Sequence, residues 1–348
     1  MSEHTDGIPW GLAERIAGRV AGSYGLADGY HGAVLADTAP DIVRRASALV
    51  EEDTGLSGGG DPEVAVVGRA VWVERNLSFL AELLKPAEEK LEKSLAEAGT
   101  TGGLSKRFMA AEMGALLGVL SRRVLGQYEL ILPSDERGDV VFLVAPNILA
   151  LEREHQFKPS EFRFWIALHE ATHRLQFVGV PWLRDYFFSL VKEMVSAAKP
   201  EGSRVVRLIA EVREASAEGR PLIGESGLLG LMASPTQREH LDRVQALMSL
   251  LEGHGHVVMD RIGARHLVTQ GRMSAMLTRR RNDPRTAALL RLTGMEMKMK
   301  QYELGAKFVH RVEERAGWST VGLAWTSIET LPSRAEIEDP DAWLVRVA

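Results

Sequence analysis

The sequence predicts a mainly helical α+β fold with one small β-hairpin. Two observations carry that expectation. Apolar residues recur at three- and four-residue spacing along most of the 348-residue chain, as on helices with one buried face. Runs of β-branched and aliphatic residues at strand length occur in one place, residues 128–132 and 139–144.

Residues 9–21 carry Leu12, Ile16 and Val20 on one stripe, and residues 41–53 repeat the pattern with Ile42, Ala46, Leu49 and Val50 before a stop at Gly55. Gly58-Gly59-Gly60-Asp61-Pro62 reads as a connection, since it lacks the Gly-Lys-Ser/Thr ending of a phosphate loop. Two helical stretches follow, divided by Pro86 and ending at Gly99. In the helix expected over residues 106–126, Gly114 and Gly118 lie one turn apart, a spacing that suits close helix packing. The two strand-like runs flank Pro133-Ser-Asp-Glu-Arg-Gly138, which has turn chemistry. Next come a strongly apolar helix over residues 161–177, a break at Pro181, and helices through residue 198 and over 203–217. Ser234, Pro235 and Gln237 form the start signal of a helix that continues through Leu241, Val244, Met248 and Leu251 toward Met259. A last long helix is expected from Asp283-Pro284 to about Gly317, followed by an irregular tail. The expected organisation is an N-terminal helical region over 1–127 and a second region over 128–348, with continuity between them possible in one domain.

Composition excludes several classes of function. There is no cysteine, so disulfides, thiolate metal sites and cysteine nucleophiles are ruled out, and a transition metal must be held by His, Asp or Glu. A net charge of −5 gives no electrostatic footprint for nucleic acid. A helix C-terminus complemented by cations explains the run Arg279-Arg280-Arg281 as well as a phosphate site would, and is the favoured reading. The first ten residues lack the pattern of a signal peptide, and the apolar run at 140–151 is too short to span a bilayer. A cytoplasmic protein without membrane or nucleic-acid partners is the expectation.

The chemistry concentrates at His169-Glu170-Ala-Thr-His173. Histidines four apart differ by about 40° around a helix, so both imidazoles leave one face, as two zinc ligands require. Glu170 is turned about 100° from His169, where it can act as general base without coordinating. A third ligand from the extended metzincin pattern fails, because Gln176 and Gly179 stand where Gly and His are needed. A downstream glutamate is the other solution. Glu252 follows Met248 by four residues and therefore lies on an apolar stripe, where a carboxylate needs a partner. His256 is the rival ligand, Asp260 follows on the same face as a supporting group, and His254 points about 200° away.

With these residues the chain resembles a bacterial family of zincin-like metallopeptidases, formerly a domain of unknown function, one branch of which is associated with biosynthesis of the deazaflavin coenzyme. The resemblance also rests on Val71-Trp72-Val73-Glu-Arg-Asn76, Ser249-Leu-Leu-Glu-Gly-His254, Lys300-Gln-Tyr-Glu-Leu-Gly305 and a tail with Trp325, Leu331-Pro332 and Trp343. It implies a zinc peptidase-like site and leaves the substrate open.

The expected activity is zinc-dependent hydrolysis of a peptide or protein, with substrate extended along an edge strand, for which residues 139–144 are the candidate. Tyr302, or else His310, could assist at the oxyanion. Two alternatives stand beside it. One is a non-catalytic zinc-binding protein. The other is a di-iron carboxylate protein, for which Glu152-x-x-His155, expected in a loop, would be the second metal-binding element.

Overall fold

The computed structural model describes residues 7–97, 103–129, 139–197, 235–281 and 296–347. Within them the protein is mainly helical with one three-stranded sheet, as the sequence predicts. The chain divides into two compact units, Met1–Pro181 with Val258–Gln270, and Trp182–Val257 with Gly271–Ala348.

In the first unit, α1 (Trp10–Ala21) packs against α4 (Gly103–Ser121) through small residues. Ala13, Ala17 and Ala21 are fully buried, and a Cβ at Gly114 would lie 2.3 Å from the Ala13 carbonyl oxygen. The Gly114/Gly118 spacing therefore marks a close helix crossing. Helix α2 (Tyr30–Thr54) starts earlier than expected, because Pro40 is accommodated inside it. It ends where expected, at Gly55, whose left-handed φ of 73° lets its N–H close on the Glu51 carbonyl. Its stripe Leu35, Ala39, Val43, Ala46 and Val50 is buried, and the helix packs on α6 (Pro159–Gly179). Helix α3 (Arg69–Glu97) is continuous through Pro86, where two separate helices were expected.

The sheet differs from a lone hairpin. Strand β3 (Val140–Val144) pairs antiparallel with β2 (Gly126–Tyr128), the hairpin component, and parallel with β1 (Glu63–Val67), a third strand that a hairpin alone does not contain. The order is β1-β3-β2, so the fully buried β3 is central. That corrects the expectation that residues 139–144 form a substrate-pairing edge. Among the described residues, β2 is an edge strand, and Gly126, placed by sequence in the preceding helix, opens it. Residues 130–132 and the expected turn at 133–138 lie outside the described residues. Glu152 and His155, expected in a loop, belong to helix α5 (Ala145–His155), where Glu152 makes a buried two-pronged pair with Arg163 at 2.7 and 3.0 Å.

The second unit contains α7 (Leu183–Ala197), most of α8 (Pro235–His266), most of α9 (Gln270–Arg281), and α10 (Glu296–Ala316). Helices α8 and α10 meet at glycines: a Cβ on Gly253 would lie 2.1 Å from the Gly305 carbonyl carbon. The tail is helical rather than irregular. It forms α11 (Trp318–Val321), two 3₁₀ turns, α12 (Arg334–Glu338) and α13 (Pro340–Val347). Trp343, fully buried, packs on Phe308 and donates its Nε1–H to the Thr330 carbonyl at 2.8 Å, which fixes the tail. The helix expected over 203–217, the cap residue Ser234 and the start at Asp283-Pro284 fall outside the described residues. Among the described residues, no helix is long and apolar enough to cross a membrane.

Candidate metal centre

Helix α6 begins at Pro159, whose fixed φ suits a first turn, with Glu161 complementing the helix dipole. Phe162, Trp165, Leu168 and Leu175 bury it on several sides. A helix so enclosed holds its side chains in defined rotamers, and among those it presents are His169 and His173. Their Nε2 atoms lie 3.2 Å apart. Two nitrogens each about 2.0–2.1 Å from one tetrahedral zinc would be separated by roughly 3.3 Å.

The orientation of His173 follows from its neighbour. Its Nδ1 lies 2.9 Å from Oε1 of Gln176, which is fully buried. An amide oxygen can only accept, so Nδ1 carries the proton and Nε2 presents its lone pair toward His169. Gln176, the residue that breaks the metzincin pattern, thus performs the second-layer task of setting a tautomer. The sequence signal for it is only its position one turn after His173.

Glu252 arrives from α8. The last turns of that helix are rooted in the first unit: Arg261 and Arg265 both engage Asp53, and Gln270 donates to Asp260 at 2.6 Å. Gly263 leaves room for the Gln270 side chain, whose Cγ would lie 2.9 Å from a Cβ there, and Glu161 accepts both the backbone N–H and the hydroxyl of Thr269 at 2.8 and 2.6 Å. Glu252 rides the same continuous helix, about 9 Å upstream of Val258 at 1.5 Å per residue. Glu252 is 8% exposed, and its ligand atom and those of His169 and His173 all lie within 4.8 Å of one another. Two imidazole nitrogens and one carboxylate oxygen, with no thiolate, form a donor set suited to a zinc that keeps an open position. The residues fit that ion.

His256 is outside this group. His254 points elsewhere, as its helical angle predicts: it is buried, stacked on Trp318 with centroids 5.8 Å apart and edge-on to Trp325. The side chain of Tyr302 lies outside the described residues, and His310 is exposed beside Glu313. Glu152 is committed to Arg163, which leaves the di-iron alternative without its second element.

Glu170 is 5% exposed and lies under the edge strand. A Cβ at Gly126 would sit 2.6 Å from its Cγ and 2.7 Å from Oε1. The carboxylate therefore occupies room that exists only because residue 126 is glycine.

The His-Glu-x-x-His helix completed by a distant glutamate is one part of a likeness that spans the chain, since the profile of the zincin-like metallopeptidase family matches residues 8–344. The chain belongs to that family. Among solved structures, it is similar to a protein from Chloroflexus aurantiacus described as a "putative hydrolase with a novel fold". The two are 30% identical with a TM-score of 0.73, and the match covers 97% of this chain and 98% of that one. A search of the curated proteins finds no match. The resemblance stated from the sequence motifs is thus shown for a zincin-like metallopeptidase, and several of its motifs have structural tasks. Ser249 to Gly253 and Gly305 meet at the α8–α10 crossing, and Trp343 locks the tail.

Proposed function

We propose that this zincin-like protein is a zinc-dependent hydrolase that cleaves peptide bonds, with His169, His173 and Glu252 holding the metal and Glu170 acting as general base. The convergence of those three donor atoms carries the reading. Family membership and the likeness to the Chloroflexus aurantiacus protein support it. Bound zinc would supply Lewis acidity, lowering the pKa of a coordinated water to about 7 and polarising a scissile carbonyl.

The chain's own groups perform the remaining work. Gln176 keeps the His173 Nε2 lone pair free for coordination. Glu170, turned about 100° from His169 on the same helix, takes a proton from the attacking water and returns it to the leaving amine. Its buried setting strengthens electrostatic interactions in the site. An extended peptide is proposed to run along β2 rather than the central β3, since β2 packs beside α6 and is an edge strand.

Glu170→Gln is expected to lower hydrolysis of a susceptible peptide by about 10²- to 10⁴-fold with zinc content unchanged. A mixed-peptide screen at neutral pH with a chelator control identifies the substrate. Chelator-sensitive cleavage that persists undiminished in Glu170→Gln contradicts the assigned base. Absence of cleavage across the screen favours the non-catalytic zinc-binding alternative.

A further inference from the structure

The geometry points to Gly126, with a clamp formed by Trp72, Asn76 and Gln127 behind it, as the positioning device for the Glu170 carboxylate. This rests on the reading of Glu170 as general base. Successive residues of a strand face opposite ways, and β2 uses both faces. Gly126 and Tyr128 face α6: the first lies against the Glu170 side chain, and the second stacks on Phe177 with ring centroids 6.2 Å apart. Gln127 faces α3. There its Oε1 accepts the Trp72 indole N–H at 2.6 Å, and its amide pairs with that of Asn76 at 3.3 and 3.4 Å. Asn76 is in turn held by its own bond to the Trp72 carbonyl at 2.7 Å, and Trp72 is buried in the core shared by α1, α3 and α4.

The chain of contacts is therefore continuous: packed core, Trp72, Gln127, Gly126, Glu170. Backbone pairing alone, Gly126 with Leu143 through Tyr128 with Val141, sets the strand's register against β3. It does not fix how far a three-residue edge strand tilts toward α6. The side-chain clamp supplies that restraint from the opposite face. Glutamate has three rotatable side-chain bonds, and a catalytic group must be held to within about 0.5 Å of its working position. Cγ and Oε1 of Glu170 fill the place a Cβ would take at residue 126, so the glycine backbone bounds their room with a wall that a flexible side chain could not provide. The motif Val71-Trp72-Val73-Glu-Arg-Asn76 thereby acquires a task at the site although it contributes nothing to metal binding.

The test compares full-length, zinc-loaded wild type with Gly126→Ala, Gln127→Met and Gln127→Glu, the last retaining an acceptor for Trp72. Crystal structures, zinc affinity by chelator competition, and kcat and KM are read on each, beside Glu170→Gln. In Gly126→Ala the Glu170 carboxylate is expected to move while His169, His173 and Glu252 stay in place. Its kcat should fall about 10²-fold, the typical cost of misplacing a reacting group by about 1 Å, with KM and zinc affinity retained. Gln127→Met should lower kcat with the same pattern, and Gln127→Glu should recover most of the loss. A carboxylate and kcat unmoved in both Gly126→Ala and Gln127→Met overturn the proposal. Should Gly126→Ala fail to fold, Gln127→Met against Gln127→Glu decides it. If Glu170→Gln remains active, the base assignment fails separately, and the crystallographic position of Glu170 in the variants still decides whether Gly126 positions it.

Discussion

A single amide oxygen decides which nitrogen of His173 is free to bind a metal. Gln176 accepts from Nδ1 at 2.9 Å, so its loss leaves the ring free to rotate and to populate the wrong tautomer. Gln176→Leu is expected to weaken zinc binding about 10- to 100-fold, the usual cost of removing such a partner. Glu252→Gln should weaken it further, since it replaces an anionic oxygen within the donor group itself, whereas His254→Gln should have little effect on the metal. His254 is spent on Trp318 and Trp325. Competition with a chromophoric chelator measures all three. A silent Glu252→Gln beside a damaging His256→Gln would move the third ligand one turn along α8.

At the scale of elements, α6 and α8 must keep their relative placement for two histidines and a distant carboxylate to meet. Part of that placement depends on pH. The hydroxyl and backbone N–H of Thr269 both donate to Glu161, and these bonds hold its carboxyl at about 2, down from the ordinary 4.5. Because the folded-state value is the lower one, the stabilisation is fully present above pH 4.5 and is lost as pH falls toward 2. Glu161→Gln keeps the shape and removes the charge. Its destabilisation relative to wild type should be largest above pH 4.5 and should vanish toward pH 2, as urea unfolding across that range would show. A constant difference at every pH would remove Glu161 as the source.

For the whole molecule, the proposed zinc binding would be linked to folding, because the three candidate donor groups come together in the folded chain. Zinc at about 100 times its dissociation constant should add about 2.7 kcal/mol to stability. A thermal scan with zinc, with chelator, and on a His169→Ala, His173→Ala double variant checks this. The wild type should melt higher with zinc, and the double variant should melt at one temperature throughout. Elemental analysis of the same samples should find about one zinc per wild-type chain. The absence of cysteine makes this a clean measurement, since no thiols compete for the ion in the unfolded state.

Readable along the chain were the helical class, Ala46 and Val50 of the stripe that α2 buries, its stop at Gly55, the close glycine packing of α4, and the spacing that puts His169 and His173 together, whereas Ile42 and Leu49 are only half-buried and Val43 takes their place. These are properties of one helix or one turn, set by periodicity and by φ preferences that act within a few residues. Glu252 was legible for the same reason: a carboxylate on an apolar stripe is costly without a partner. Pairing at long sequence separation, by contrast, is settled by tertiary contacts. Strand β1 is too short and too weakly patterned to announce itself, and its parallel partner β3 lies beyond two intervening helices. That pairing makes β3 central and leaves β2 at the edge. The role of Gly126 is invisible along the chain for a related reason. The Glu170 side chain it makes room for is 44 residues away in sequence, and a missing Cβ has meaning only when something else occupies its place.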